Sequence, residues 1–390
     1  MNRWKAAWTV FAKELVDALR DRRTLMVVLL SSVAMGPLVL VLLSSLVDQF
    51  EKRAEAREIV TVGLEHAPTL RNYLERQTYV IRAAPADFEA RLKDNKLGDP
   101  VVVIPATFES ELAHGEAPRI EVVFSSSNGR AQSGMGRVMR LLQGFQQERV
   151  TLRMIARGVA PSLLNVARVE DHDVADSAAR AAQLTGMLPF FVLMAVVYGS
   201  LNAALDTTAG ERERGSLEPL LATPAARRSL VVGKWGAVFC VGLLIATLSC
   251  VSFVPGQILL RSESLAALFR FGWGEAARYV GLLAPLAAAL AAVMMAIAIR
   301  CRTFKEAQAN TTVVVLAVSL LPVMTLFNQE GEAAWHLWVP ALAQMTLMTR
   351  VLKGVPVSAA DALPGVFVCA AITILALAWI TRQLTRRAAQ

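Results

Sequence analysis

The residues of this chain best suited to acting on another molecule are four alternating charges, Glu211, Arg212, Glu213 and Arg214. Gly210 precedes them; Gly215, Ser216, Leu217, Glu218 and Pro219 follow, with a second proline at Pro224. Glycine interrupts a helix and proline ends one, so the stretch reads as a compact charged knob built on a short helical turn. A knob of this kind suits docking on a soluble partner. An ordinary solvated loop carries the same residue types, and physics alone leaves both readings open.

Other chemistry is sparse. Glu170, Asp171 and Asp173 crowd hard oxygen ligands around His172, which fits a cation site or, more plainly, a solvated acidic loop. The histidines His66, His114, His172 and His336 are far apart in sequence, which suits surface or hydrogen-bonded roles better than catalysis. Cys240, Cys250, Cys301 and Cys369 lie in or beside apolar runs without zinc spacing, and read as small core residues. A phosphate-binding loop needs G-x-x-x-x-G-K-[ST] so that backbone amides can cradle phosphate. The one Gly-Lys pair is Gly233-Lys234, with Arg228 at the first glycine position and Trp235 after the lysine. The chain therefore has no P-loop, and any ATP hydrolysis is expected in a partner. No metal site is expected.

Composition decides what must position these residues. Of 390 residues, 55% are hydrophobic and 18% charged, against roughly 25% charged in a soluble domain. Few aromatics stand in the basic stretches, so the net charge of +8 does not point to nucleic acid. Crossing ~30 Å of hydrocarbon takes roughly 20 apolar helical residues. Six windows of that length hold no Asp, Glu, Lys or Arg: 24–47, 181–205, 235–260, 279–299, 307–329 and 362–381. Gly36-Pro37 inside the first predicts a kink. A seventh apolar stretch, Leu337–Thr349, is too short to cross and reads as an interfacial or re-entrant piece of the loop 330–361. No window holds a carboxylate, so an ion relay is not indicated. The neutral side chains Asn202, Thr247, Ser252, Asn310 and Ser319 are expected to tie helices together.

Lysine and arginine give the orientation. Segments 1–23, 206–234, 300–306 and 382–390 carry 17 in 68 residues, whereas 261–278 and 330–361 carry 5 in 50. The richer set is expected to be cytoplasmic, which places both termini inside. The polar insert 48–180 then lies outside. Its β-branched runs at Glu58–Leu64, Tyr79–Ala83, Pro100–Ile104 and Ile120–Phe124 alternate with helical stretches near 67–77, 85–95 and 106–114, the pattern of a small α/β domain. A longer helical pattern follows from about Arg130 to Arg157. At the start, Trp4, Trp8, Phe11 and Leu15 recur at helical spacing among Arg3, Lys5 and Lys13. That predicts an interfacial helix within 1–23, lying flat with indoles at headgroup depth and cations toward phosphate.

The string E-R-E-R-G-S-L-E-P-L-L-A-T-P from Glu211 to Pro224 resembles the hallmark of type-2 ABC exporter permeases, which carry a close variant after their second span. Lys13-Glu14-Leu15 with Arg20 to Arg23 resembles the family's first helix, and Val101 to Pro105 with Phe108, Glu109, Leu112 and Gly115 its outer domain. Gly233-Lys234, Thr303 to Gln308, and Pro340 to Gly354 are similar too, so the likeness covers nearly the whole chain. It is strongest toward the sodium-extrusion, NatB-like branch. The resemblance implies a polytopic α-helical membrane protein of a bacterial cytoplasmic (inner) membrane. It has six transmembrane helices and an extracytoplasmic α/β domain between the first and second. It implies two permeases, as homo- or heterodimer, working with two ABC ATPase subunits that bind ATP and Mg. It also assigns the docking of the ATPase to Glu211, Arg212, Glu213, Arg214, Gly215, Ser216, Leu217 and Glu218, together with the interfacial helix. The cargo would be exported, sodium among the candidates.

Two other classes remain. A membrane sensor or scaffold would bind a ligand or envelope component with its outer domain, but should carry a cytoplasmic signalling domain where only short loops occur. An intramembrane enzyme would need a nucleophile and base at membrane depth, where only isolated hydroxyls and thiols are found.

Overall fold

The structure, a computed structural model, describes residues 3–20, 22–55, 57–164, 185–216, 219, 223, 225–262, 265–266, 269, 271–326 and 332–387. The acidic turn 170–173, and Leu217 and Glu218 of the charged knob, lie outside the described residues. The chain divides into two units, Met1–Asp48 with Val174–Gln390, and Gln49–Asp173.

The first unit is helical. Its elements are α1 (Arg3–Arg20), α2 (Arg22–Glu55), α7 (Leu188–Leu205), α8 (Arg227–Gly256), α9 (Trp273–Ala298), α10 (Phe304–Leu326), α11 (Leu342–Leu352) and α12 (Ala359–Arg387). Six of these, all but α1 and α11, are long and apolar enough to cross a membrane. In hydrocarbon every backbone N–H and C=O must be satisfied internally, which is why such runs fold as helices. Helix α2 continues through Pro37, and Gly36 stands where a side chain would overlap Ser252 and the ring of Phe253. Small residues let the spans approach. Gly242 of α8 faces Ser200 of α7 and Ala287 of α9, whose alanine-rich row is buried from Leu286 to Ala292, Ala288 excepted.

Helix α11 is packed among the other helices: Leu342 to Met348 are buried without interruption, and the Tyr279 hydroxyl of α9 donates to the Met348 carbonyl at 3.0 Å. The hydroxyls of Thr247, Ser252 and Ser319, expected to tie helices together, donate their protons to carbonyls of their own turns, at Leu243, Ser249 and Leu316. A hydroxyl three or four residues from a free lone pair finds it before any neighbouring helix does. Asn310 donates to the Cys301 sulfur, just ahead of its own helix.

The second unit is α/β. A sheet in the order β2 (Val80–Ala83), β1 (Glu58–Val62), β3 (Val101–Val103), β4 (Glu121–Val123) is parallel except at the antiparallel β3–β4 pair. Side chains alternate across a strand, so Ile59 and Val102 join a core with α3 (Pro68–Arg76), α5 (Phe108–His114) and α6 (Gly129–Ala156). Their neighbours Val60 and Val101 face Leu92 of α4 (Phe88–Lys93) on the other side. Gly63 ends β1 with φ +76, where any side chain would overlap the Ile104 carbonyl.

A buried ionic junction as candidate functional site

Helix α1 presents Ala6, Val10 and Glu14 as one buried row. The row lies on α8, whose Gly233 admits it: a Cβ there would stand 2.8 Å from the Ala7 carbonyl oxygen and from the Val10 Cβ. The close approach carries the Glu14 carboxylate to the Lys234 ammonium at 2.8 Å. Trp4 and Trp8 point away and are exposed, while Phe11 is half-buried beneath Gly236 and Leu15 is also half-buried.

The second contributor is the end of α7. After Leu205 the helix widens into a π-helical turn, Asp206–Gly210, and closes as a last turn, Glu211–Glu213. A π-turn shifts the hydrogen-bond register and leaves carbonyls without their usual partner. Lys234 donates to one of them, Thr207 O, at 3.0 Å. Its other two protons go to Glu14 (2.8 Å) and Glu211 (2.5 Å), so all three ammonium donors are used. Lys13 completes the group, 3.0 Å from Glu211 and 3.1 Å from Glu14. The buried core of the group holds two carboxylates and Lys234, and at its open edge Lys13 also pairs with the exposed Asp17 at 3.3 Å, so three carboxylates meet two ammoniums. Glu14, Lys234 and Glu211 keep only 3%, 7% and 11% of their side chains exposed. Burial works to lower the Lys13 pKa, but hydrogen bonds with Glu211 and Glu14 and their negative charges outweigh it. Lys13 is thus held above the ordinary lysine range. The stability its pairing adds is present at neutral pH and is lost only as pH rises past that range.

The remaining charges of the knob also bond within the chain. Arg212 donates to the carbonyls of Cys301 (3.0 Å) and Ile299 (3.4 Å) at the C-terminal end of α9, where a cation complements the helix dipole. Glu213 accepts from the Phe304 N–H at 2.7 Å, the mirror case of an anion at the N-terminus of α10. Arg214 pairs with Asp206 and donates to the Gly210 carbonyl. Gly215, at φ +69, reverses the chain so that Ser216 bonds back to the Glu211 carbonyl.

The structure thus gathers Glu211, Arg212, Glu213 and Arg214 at the ends of α1, α7, α8, α9 and α10. Of the docking set, Glu213, Arg214, Gly215 and Ser216 are open to solvent, Arg212 is half-buried and Glu211 is buried. Sequence reasoning missed the junction itself. Its one local signal was a carboxylate, Glu14, interrupting the apolar row of Ala6 and Val10. Among the described residues no cluster could hold a metal ion.

Comparison with known proteins agrees with this architecture. The family described as ABC-2 family transporter protein matches residues 26–381. Among curated proteins, the ABC transporter permease protein NatB of Bacillus subtilis (strain 168) is 28% identical over 353 residues, 88% of this chain and 89% of that protein.

Proposed function

The chain belongs to the ABC-2 transporter family, a multi-pass membrane protein, and from that premise we propose that it is the permease subunit of a bacterial ATP-driven exporter. Two copies, or one copy and a related permease, pair in the cytoplasmic membrane with separate ATPase subunits that bind ATP and Mg. The charge bias of the short loops supports placing α1 and the knob inside and the α/β unit outside. The one observation that carries the coupling mechanism is the junction of buried Glu14, Glu211 and Lys234 with the half-exposed Lys13.

An ATPase pressing on α1 or on the exposed face of Arg214, Gly215 and Ser216 acts on one body. Glu14 and Lys234 lock α1 to α8, Glu211 locks the end of α7 to both, and Arg212 and Glu213 extend the link to α9 and α10. Closure of the ATPase pair is then passed to the spans as a rigid-body shift that biases inward against outward opening. Trp4 and Trp8 are free to sit at headgroup depth and hold α1 level. Sodium as cargo rests on the sequence resemblance alone.

The test uses the full chain with the ATPase encoded beside it, reconstituted in vesicles with radiolabelled sodium and a panel of amphiphiles. ATP-dependent movement of one of these is expected. Glu14→Gln should keep the bound ATPase while export falls by about tenfold or more. Failure of any ABC ATPase to co-purify with the unaltered chain would overturn the permease reading; full export by Glu14→Gln would remove the junction from the mechanism.

A further inference from the structure

The second unit contains a cavity of about 380 Å³, within the range of small-molecule sites, between α5, α6 and the chain around β4. Phe108, Ile120, Leu142 and Phe145 give it an apolar wall. Two arginines one helical turn apart on α6 also line it, Arg149 and Arg153, and they are used differently. Arg153 donates to the carbonyls of Leu112 (2.9 Å), Gly115 (3.1 Å) and Glu116 (3.4 Å), so its guanidinium is a strut that holds the rim. Arg149 has no ion pair among the described residues, and its Nε is buried with no hydrogen-bond partner. Leaving a buried donor unsatisfied costs about 1–3 kcal/mol. A charged fork with unused donors beside an apolar cavity is complementary to an acidic head attached to an apolar chain. Against these two cations the described wall holds a single acid, Glu116.

We propose that this cavity binds an anionic amphiphile, its carboxylate or phosphate head on Arg149 and its chain against Phe108, Ile120, Leu142 and Phe145. The site is complete within the α/β unit, and it stands whether or not the chain couples to an ATPase.

The experiment photolabels the full chain, in nanodiscs of neutral phospholipid, with dodecanoate carrying a diazirine in its chain, and maps adducts by mass spectrometry. Adducts are expected on α5 and α6 within residues 108–153. Unlabelled dodecanoate should abolish them and dodecanol should not, a comparison that needs no substitution. Arg149→Gln should cut labelling by about tenfold or more. Leu142→Trp, which fills the cavity and leaves Arg149 in place, should cut it as far. Nanodiscs containing phosphatidylglycerol distinguish the sources: lost labelling identifies a lipid headgroup as a competent ligand, and unchanged labelling a free acid. Adducts confined elsewhere, equal competition by dodecanol, or labelling indifferent to Arg149→Gln would each overturn the proposal.

Discussion

The two units differ in where their charge is placed. In the α/β unit the ion pairs Arg82–Glu58 (2.8 Å), Arg91–Asp87 (2.8 Å) and Lys96–Asp94 (3.1 Å) lie on the surface, each side chain at least a third exposed. The helical unit has exposed pairs too, such as Arg214–Asp206, but it also seals one group away, with Lys234 spending every proton on Glu14, Glu211 and Thr207. A surface pair trades water for a partner at little net gain, whereas a buried group that loses its partner keeps the whole cost of leaving water. The same residue types are therefore trimming in one unit and a joint in the other. Lys234→Met is the sharpest way to break that contrast. It leaves two carboxylates facing the half-exposed Lys13 alone, and about 3 kcal/mol or more should be lost. Hydrogen exchange of the purified chain should show early opening in peptides from α1 and 206–216 and no change in the sheet. Unchanged protection of α1 would mean that the junction does not hold it.

Gly233→Ala probes the same joint without touching a charge. The new Cβ would press on the Ala7 carbonyl and on Val10, backbone and branched side chain that cannot turn aside. Alanine favours the helix by up to about 1 kcal/mol, and the clash should exceed that by about 1–2 kcal/mol. Helix α1 should lift from α8 and the Glu14–Lys234 pair lengthen, read as faster exchange in α1 and greater accessibility of a cysteine placed at Val10. A stabilised protein with α1 unmoved would show that the close approach is softer than its distances imply.

How much of this was legible in the sequence follows from the range of the interactions. The spans were visible because lipid demands runs free of charge, a property of consecutive residues; α12 covers the whole of the window 362–381. Strands β1 and β3 coincide with β-branched runs for the same reason. Helix ends were less legible, since α7 runs on through a π-turn that no residue pattern announces, and the charged knob read as a separate short turn begins as its continuation. The junction was not legible at all as a site. Its partners are 220 residues apart at Glu14–Lys234 and 198 at Lys13–Glu211. In the sequence Lys234 read as a failed P-loop lysine, as one more positive residue in a cytoplasmic loop and, with Gly233, as a match to the permease family. Only packing of α1 across Gly233 pairs it with Glu14.

The smallest expected effect is the control on which the comparison turns. Arg82 and Glu58 sit on adjacent parallel strands, β2 and β1, with side chains 63% and 37% exposed. Arg82→Gln keeps the length and a polar head while removing the charge. Water solvates Glu58 in place of the guanidinium, no backbone donor is orphaned, and the register Val60 to Arg82 is carried by main-chain bonds that the substitution does not touch. The loss should be about 0–1 kcal/mol and should shrink further in high salt, where exposed charges are screened. Denaturant unfolding of the full chain, followed by exchange in β1 and β2, measures it. A loss as large as that of Lys234→Met would show that the sheet edge relies on its ion pair as the helical unit relies on its junction, and the distinction between the two regions would fail.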